Sequence, residues 1–420
     1  MKSLIKKQRN INQCINIKNT ITSSSSLLSS SSSSVAGLDE KDLQYFGKKK
    51  QSGVSLTALM ETGRGDRLKE FDQLVDTSKQ QAGASERVQI QVACFLHREL
   101  PIRLAHRAVE LESSQLYKES PSIRNVCSWY KRSFAQIRAV AAPVDIEKES
   151  KFAKVIEDIY ERHSATLITM AKGAHEFRTN VGINDVGEFA DMKDVQKKLD
   201  EFYMSRIGMR MLIGQYLALK QPAISSDMIG LVSTSASPYE IASQAIEDAA
   251  YMCRRAHGDA PEVKILGRTD LHFPYVPSHI SYMLLELLKN SMRATVETHG
   301  AEKMPQIKII IADGEDNEDV VIKVSDEGGG IKRSNMNRIW SYLFTTADPA
   351  VLNRMLATSD SEVRDFDTAS PLAGLGYGLP ISRNYARYFG GELTIMSMEG
   401  YGTDSFIYLP RLGNKNGVLC

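Results

Sequence analysis

Along residues 85–220 the apolar side chains recur every three to four positions, the period that gives an α-helix one buried face. Val126, Trp129, Tyr130, Phe134 and Ile137 make one stripe, Phe152, Val155, Ile156, Ile159 and Tyr160 begin another, and Val195, Leu199, Phe202, Ile213 and Leu217 lie along a third. With the stretch from Ser85 to Leu111, this predicts four long helices. Pro121, Pro143, the segment Gly182–Gly187 and Pro222 separate them. Four amphipathic helices of such length pack most simply as an antiparallel bundle.

After Pro222 the period changes. Alternating, strand-like runs fall at Gln306–Ala312, Asp319–Ser325, Leu393–Met398 and Ser405–Leu409, bounded by turn sequences such as Asp313-Gly314-Glu315-Asp316 and Glu399-Gly400-Tyr401-Gly402. They alternate with helical stretches at Tyr239–His257, Ser278–His299 and Leu379–Phe389. The expected class is therefore α+β: a helical bundle followed by an α/β sandwich, with helices on one face of a mixed sheet. The boundaries read as a leader over 1–37, the bundle over 38–225, the sandwich over 226–412 and a short tail over 413–420.

Composition adds little to the fold but divides the chain. Over 420 residues, 52 Lys and Arg meet 51 Asp and Glu, a net charge of +1 that offers no field for nucleic acid or an acidic membrane. Five of the basic groups precede the first acid, Asp39, leaving 47 basic against 51 acidic groups in the rest. The acid-free, Ser-rich start, with its apolar residues scattered, has the composition of a mitochondrial presequence or of a plain low-complexity tail; the presequence is the expectation. Cys14, Cys94, Cys127, Cys253 and Cys420 are scattered with no CxxC, as in a reducing compartment and unlike a zinc site. No run reaches the roughly 18–20 apolar residues of a membrane span.

The chemistry lies in three ordered segments. In the helix 278–299, Glu286, Asn290 and Arg293 fall at i, i+4 and i+7 and share one face, with Leu284, Leu288 and Met292 opposite. Such a stripe is either a solvated surface or a phosphate site in which Asn290 offers a neutral oxygen to Mg²⁺, Glu286 takes a proton and Arg293 holds charge. The second segment, Val324-Ser325-Asp326-Glu327-Gly328-Gly329-Gly330-Ile331, ends a strand in an acid and three glycines. It reads as a capped turn or as a carboxylate placed for a base amino group. The third, Ala373-Gly374-Leu375-Gly376-Tyr377-Gly378-Leu379-Pro380, runs into a helix start, where backbone N–H groups and the helix dipole suit phosphate oxygens. Between the last two, the aperiodic polar stretch 348–370 has the composition of a cover over a nucleotide.

In order, ELLKNSMRA, SDEGGGI and GLGYGLPISR, with GTDSFIYL at the end, resemble the N, G1 and G2 boxes of the histidine-kinase-like ATPase superfamily. FLHRELPIRLAHRAVEL, SWYKRSF, FYMSRIGMRMLIGQ, FPYVPSH, YLFTTA and PLAGLGYGLPISRNYARYFGGEL extend the likeness over about residues 85–412 to the mitochondrial 2-oxoacid dehydrogenase kinases. IEDA at 246–249 and SMEGYGTDSFIYLPRLG resemble the plant-type, pyruvate-directed branch, with the branched-chain kinases as the rival reading. The resemblance implies an ATP- and Mg²⁺-dependent protein-serine kinase of the mitochondrial matrix that inactivates the E1 alpha subunit of pyruvate dehydrogenase. It also implies a homodimer that docks on an E2 lipoyl domain through its helical half.

Residue by residue, the resemblance makes Glu286 the general base and Asn290 the Mg²⁺ ligand. It assigns the nucleotide site to Glu286, Leu287, Leu288, Lys289, Asn290, Ser291, Met292 and Arg293 of the N box, to Asp326, Gly328 and Gly330 at the adenine, and to Thr345 and Thr346. Gly374, Leu375, Gly376, Tyr377, Gly378 and Leu379 become the phosphate loop, and Thr403 lies behind the adenine. Many animal members carry a His four residues before the base, where this chain has Tyr282. They also carry a C-terminal Asp-Trp pair, whereas the tryptophans here are Trp129 and Trp340 and the chain ends at Cys420. Arg206, Arg210 and His163 match the 2-oxoacid effector pocket, with Tyr160 where an Arg is expected. LHRELP around His97 is similar to the phosphoacceptor box of two-component histidine kinases; a structural or partner-facing His97 is the expectation.

Overall fold

The computed structural model describes residues 40–69, 83–223, 225–300, 303–314, 319–346 and 374–411. The leader over 1–37, the polar stretch 348–370 and the tail 413–420 lie outside them. The helices are α1 (Glu40–Phe46), α2 (Leu56–Arg64), α3 (Ala84–Ser113), α4 (Gln115–Glu119), α5 (Pro121–Ala139), α6 (Ile146–Arg162), α7 (Thr166–Asn180), α8 (Val186–Ala190), α9 (Lys193–Leu219), α10 (Pro238–His257), α11 (Pro277–His299) and α12 (Gly378–Tyr388). Local chemistry sets many of the starts. Ser120 caps α5 by accepting from Ile123 N and is followed by Pro121 at the first turn, where a missing N–H costs nothing. Asp145 caps α6, and Ser237 with Pro238 repeats the α5 arrangement at α10.

The four long helices expected between 85 and 220 are five in the structure. The stripe that begins at Phe152 stops at Arg162, a 3₁₀ turn runs over His163–Ala165, and α7 starts afresh at Thr166. No Pro or Gly marks that corner, so the hydrophobic period alone ran through it. Helix α3 packs against α1, α5, α6 and α9, and α5 packs against α7. Val126, Tyr130, Phe134, Ile137, Phe152, Ile156, Leu199 and Phe202 fill the space between them. Each such burial contributes about 1.5–3 kcal/mol before the chain's entropy is counted.

The second part is a mixed five-stranded sheet in the order β3–β5–β6–β8–β7. Its strands are β3 (Val263–Gly267), β5 (Ile307–Asp313), β6 (Asp319–Asp326), β7 (Glu392–Met398) and β8 (Gly402–Pro410), and β3 runs parallel to β5 while the other pairs are antiparallel. Period-2 alternation turns Ile307, Ile309, Ile311, Val320, Ile322, Val324, Leu393, Ile407 and Leu409 to the face covered by α10, α11 and α12. Two further strands, β2 (Val232–Ala236) and β4 (Phe273–Tyr275), form a smaller sheet with β1 (Met228–Ile229). The sequence reading missed β1 to β4. All four are five residues or fewer, too short for a clear alternation, and β3 is recognisable only through its parallel partner β5.

The two parts touch through α9 and α12. Tyr203 of α9 meets Tyr342 and Tyr377, with ring centroids 4.9 and 5.7 Å away. Arg338 pairs with Asp191 beyond the end of α8, and Gln196 Nε2 and Oε1 bond the Tyr342 backbone.

Candidate active site

Helix α11 carries the site because its two faces differ. Ile280, Met283, Leu284, Leu287, Leu288 and Met292 are buried in the core, fixing the helix against the sheet. That placement leaves Leu287, Leu288 and Met292, which the resemblance assigned to the nucleotide site, packing among apolar neighbours. Glu286 is nevertheless 5% exposed, a buried carboxylate that needs partners. Lys289 Nζ donates to its Oε1 at 2.7 Å. Its Oε2 abuts Gly378 at the start of α12, where an added Cβ would collide with the carboxylate. The helical backbone of Gly378 needs no glycine, so closeness to Glu286 explains the residue. Asn290, half-buried, lies one turn beyond Glu286 on the same face, and Arg293 pairs with Glu297 at 3.8 Å.

The end of β6 meets the same helix. Ser291 Oγ donates to Asp326 Oδ2 at 2.6 Å, and Gly328 N donates to Oδ1 at 3.0 Å. Burial raises the Asp326 carboxyl above the ordinary aspartate range, opposed by hydrogen bonds from Ser291 and from the backbone of Gly328 and Thr403. Gly328 approaches α11 so closely that a Cβ would strike Ala294 and the Thr295 backbone. Gly330 has φ 70 and lies against the Met398 carbonyl. Thr403 pairs with Asp326 across the sheet, and its hydroxyl is 3.0 Å from Ser397 Oγ. Strand register thus brings the distant Asp326 and Thr403 together, and Ser397, which sequence reasoning did not select, completes the group.

The glycine loop is the third wall. Gly374 and Gly376 have φ 81 and 74, a backbone region that side chains disfavour, and Gly376 packs on the Phe344 carbonyl. Thr345 and Thr346 follow that contact directly. Leu343, beside it, holds φ 65 without being glycine. Leu375 and Tyr377 are buried, so the loop presents its backbone and anchors by these two side chains; Leu379 is half-buried. The Tyr377 anchor belongs to a polar aromatic cluster. Tyr342 Oη donates to Asp200 Oδ1 at 2.9 Å and accepts from Asn384 Nδ2 at 3.0 Å. Asp200, Tyr203, Tyr342 and Asn384 were missed as supports of the site, because they meet Tyr377 and one another only in the folded chain.

In the helical part, His163 Nε2 is 2.9 Å from Ser133 Oγ, and the Arg210 guanidinium stacks 4.1 Å over the Tyr160 ring. Burial and the nearby cations Arg162, Arg206 and Arg210 pull His163 down to about 3, so it is neutral. Burial, with Arg210, brings Arg206 to about 10. Tyr282, one turn before Glu286, has its phenol pushed well up by burial and by the Glu286 charge, and it stays protonated. His97 Nε2 contacts the Val140 carbonyl at 2.9 Å, a bond between elements that suits a structural histidine.

A glycine loop at a helix start, an acid–amide helix beside it and a buried strand-end Asp form a nucleotide fold. Residues 275–413 match the family described as histidine kinase-, DNA gyrase B- and HSP90-like ATPases. A mitochondrial pyruvate dehydrogenase (acetyl-transferring) kinase of Arabidopsis thaliana is 42% identical over 382 residues, covering 90% of this chain and 96% of the relative. The chain belongs to the pyruvate dehydrogenase kinase family. A second family member, from Schizosaccharomyces pombe, is 44% identical over 267 residues, 63% of this chain and 60% of its own. Kinase isozyme 3 of Mus musculus is 37% identical over 338 residues, 77% of each. Residues 69–233 match the family described as mitochondrial branched-chain alpha-ketoacid dehydrogenase kinase. That match covers the helical part alone, whereas the pyruvate dehydrogenase kinases span both parts and do not favour the branched-chain reading.

Proposed function

We propose that this chain is an ATP-dependent protein-serine kinase of the mitochondrial matrix that phosphorylates the E1 alpha subunit of pyruvate dehydrogenase and so inactivates it. One observation carries the chemistry: the buried Glu286 carboxylate abuts Gly378 at the start of the phosphate-loop helix, with Asn290 one turn away. The names of the relatives support the substrate and the compartment.

Asp326 Oδ accepts a hydrogen bond from the adenine amino group, and Thr403 lies beside it. The backbone of Gly374, Gly376 and Gly378 faces the phosphates, and the N-terminus of α12 adds its dipole. The substrate hydroxyl oxygen bonds to the γ-phosphorus as the bond to the β,γ-bridging oxygen breaks. ADP leaves, and the hydroxyl proton passes to Glu286. Positioning and fixed charge supply most of the barrier reduction.

Among the described residues no cluster of three or more His, Cys, Asp or Glu could cage a metal. A lone carboxamide beside a phosphate loop suits Mg²⁺, which keeps waters and takes substrate oxygens as ligands. Asn290 would hold it, and the ion would neutralise phosphate charge.

The E2 lipoyl domain is assigned to the helical half on the family resemblance. A homodimer is supported by the edge strand β7, which among the described residues pairs with β8 alone and where Met396 and Met398, with Tyr401 in the following turn, are 64%, 66% and 58% exposed.

The deciding experiment supplies labelled ATP and Mg²⁺ with purified pyruvate E1 and branched-chain E1 in separate reactions. Acid-stable serine label on pyruvate E1 is expected. Label on neither, or acid-labile label on the kinase itself, overturns the reading, and label confined to the branched-chain subunit moves it to that substrate.

A further inference from the structure

Glu286 faces a conflict if it is the base, on which the following inference rests. A base needs an exposed lone pair, yet Lys289 Nζ covers Oε1 at 2.7 Å and Gly378 closes on Oε2. The pair is secluded: the two side chains are 13% and 7% exposed. Removing a buried cation from its carboxylate is costly unless another anion receives it.

The geometry names that anion. Lys289 stands three residues after Glu286 and immediately before Asn290 on α11, and Glu286 touches the first residue of the phosphate-loop helix. A polyphosphate reaching both Asn290 and the glycine loop must pass within the sweep of the Lys289 stem. That stem is four flexible carbons ending in a compact point charge, suited to moving between two anions. A phosphate tail carries more charge than one carboxylate and attracts the ammonium more strongly.

We propose that Lys289 is a positioning residue that latches the base: it holds Glu286 Oε1 until a nucleoside triphosphate draws its ammonium away. The base is then uncovered only when a phosphoryl donor is seated, so Glu286 takes no proton from a hydroxyl in the absence of ATP. Release conserves charge, since the ammonium exchanges one anion for another and no proton leaves it.

The test is a binding cycle with the full-length protein, Mg²⁺ and a non-hydrolysable ATP analogue, titrated calorimetrically on wild type, Glu286→Gln, Lys289→Met and the double variant. With Lys289 present, Glu286→Gln should tighten the analogue by about three- to tenfold, the scale of one charge-assisted hydrogen bond no longer broken on binding. In the Lys289→Met background that gain should vanish. An equal gain in both backgrounds would mean simple relief of negative charge, and it overturns the latch, as does no gain with Lys289 intact.

A second readout leaves Lys289 in place. In ¹³C-dimethylated protein, the Lys289 methyl signal, assigned by its absence in Lys289→Arg, should differ between wild type and Glu286→Gln without nucleotide and coincide once the analogue is bound. A difference that persists with the analogue, or none without it, overturns the proposal. Failure of the base assignment itself has a separate signature, phosphoryl transfer that survives Glu286→Gln.

Discussion

Ser291 Oγ donates a 2.6 Å hydrogen bond to Asp326 Oδ2, tying the helix that carries the proposed base to the strand end proposed for adenine. The carboxyl it supports is held above the ordinary aspartate range, first by burial. As pH falls, Asp326 therefore takes up its proton earlier than a solvent-exposed aspartate and, in the proposed role, would cease to accept from the adenine amino group. ATP-analogue affinity should weaken on acidification beginning above the usual aspartate window, and Asp326→Asn should bind weakly and lose that dependence. Stability has the opposite sign: the folded state favours the protonated group, so its contribution is full below the unfolded value and is lost as pH rises through the raised one. Titrations and thermal melts at several pH values check both halves.

Glu286→Gln should bind the ATP analogue and lose phosphoryl transfer by about 10²–10⁴-fold, the usual range for a general base. Steady-state kinetics on pyruvate E1 read it, and full activity in the variant would remove Glu286 from its role.

Gly378→Ala separates space from backbone. Alanine accepts the helical conformation there and would ordinarily favour a helix, but its Cβ collides with the Glu286 carboxylate. The expected outcome is a folded protein with an unchanged circular dichroism spectrum and turnover lowered at least about tenfold, a displacement of the base worth ~1.4 kcal/mol or more of barrier. Wild-type turnover would deny the contact any importance.

Met396→Glu with Met398→Glu places two charges on the β7 edge of the sheet, where edge strands tolerate charge without unfolding. If β7 carries the dimer contact, light scattering should report a monomer with near wild-type melting. A dimer that persists in this variant would move the interface elsewhere.

Asn290→Ala should bind nucleotide with little sensitivity to Mg²⁺. Titrating the ion at fixed ATP analogue distinguishes this from a general loss of affinity, which would leave the Mg²⁺ dependence intact.

The readable part of this protein was the part written in short-range pattern. The Glu286–Asn290–Arg293 stripe, the Asp326 turn and the glycine loop each occupy a short run of the chain, so each was visible as a candidate, and their order, rather than the spacing of any one, carried the family resemblance. Strand β3 did not announce itself, because only its parallel pairing with Ile307–Ile311 makes Val263–Gly267 a strand. The corner at His163–Ala165 was hidden because a 3₁₀ turn keeps nearly the same apolar period as the helix it interrupts. Within the site, Glu286 and Lys289 were each visible at i and i+3, but their mutual seclusion depends on Gly378, some ninety positions away. The aromatic support of Tyr377 was illegible for the same reason: Tyr203 and Tyr342 reach it only through the folded contact.

That support has a consequence for how the molecule could be divided. Tyr377 lies inside the phosphate loop, yet it rests on Tyr203 of the helical part and on Tyr342, which is itself held by Asp200 of the same helix. The nucleotide fold therefore borrows part of the support for its own loop from Tyr203 and Asp200, encoded before it. A fragment beginning after Leu219 would retain the N box, Asp326, the site's glycines and Tyr342, and still lack Tyr203 under the loop and Asp200, which holds Tyr342.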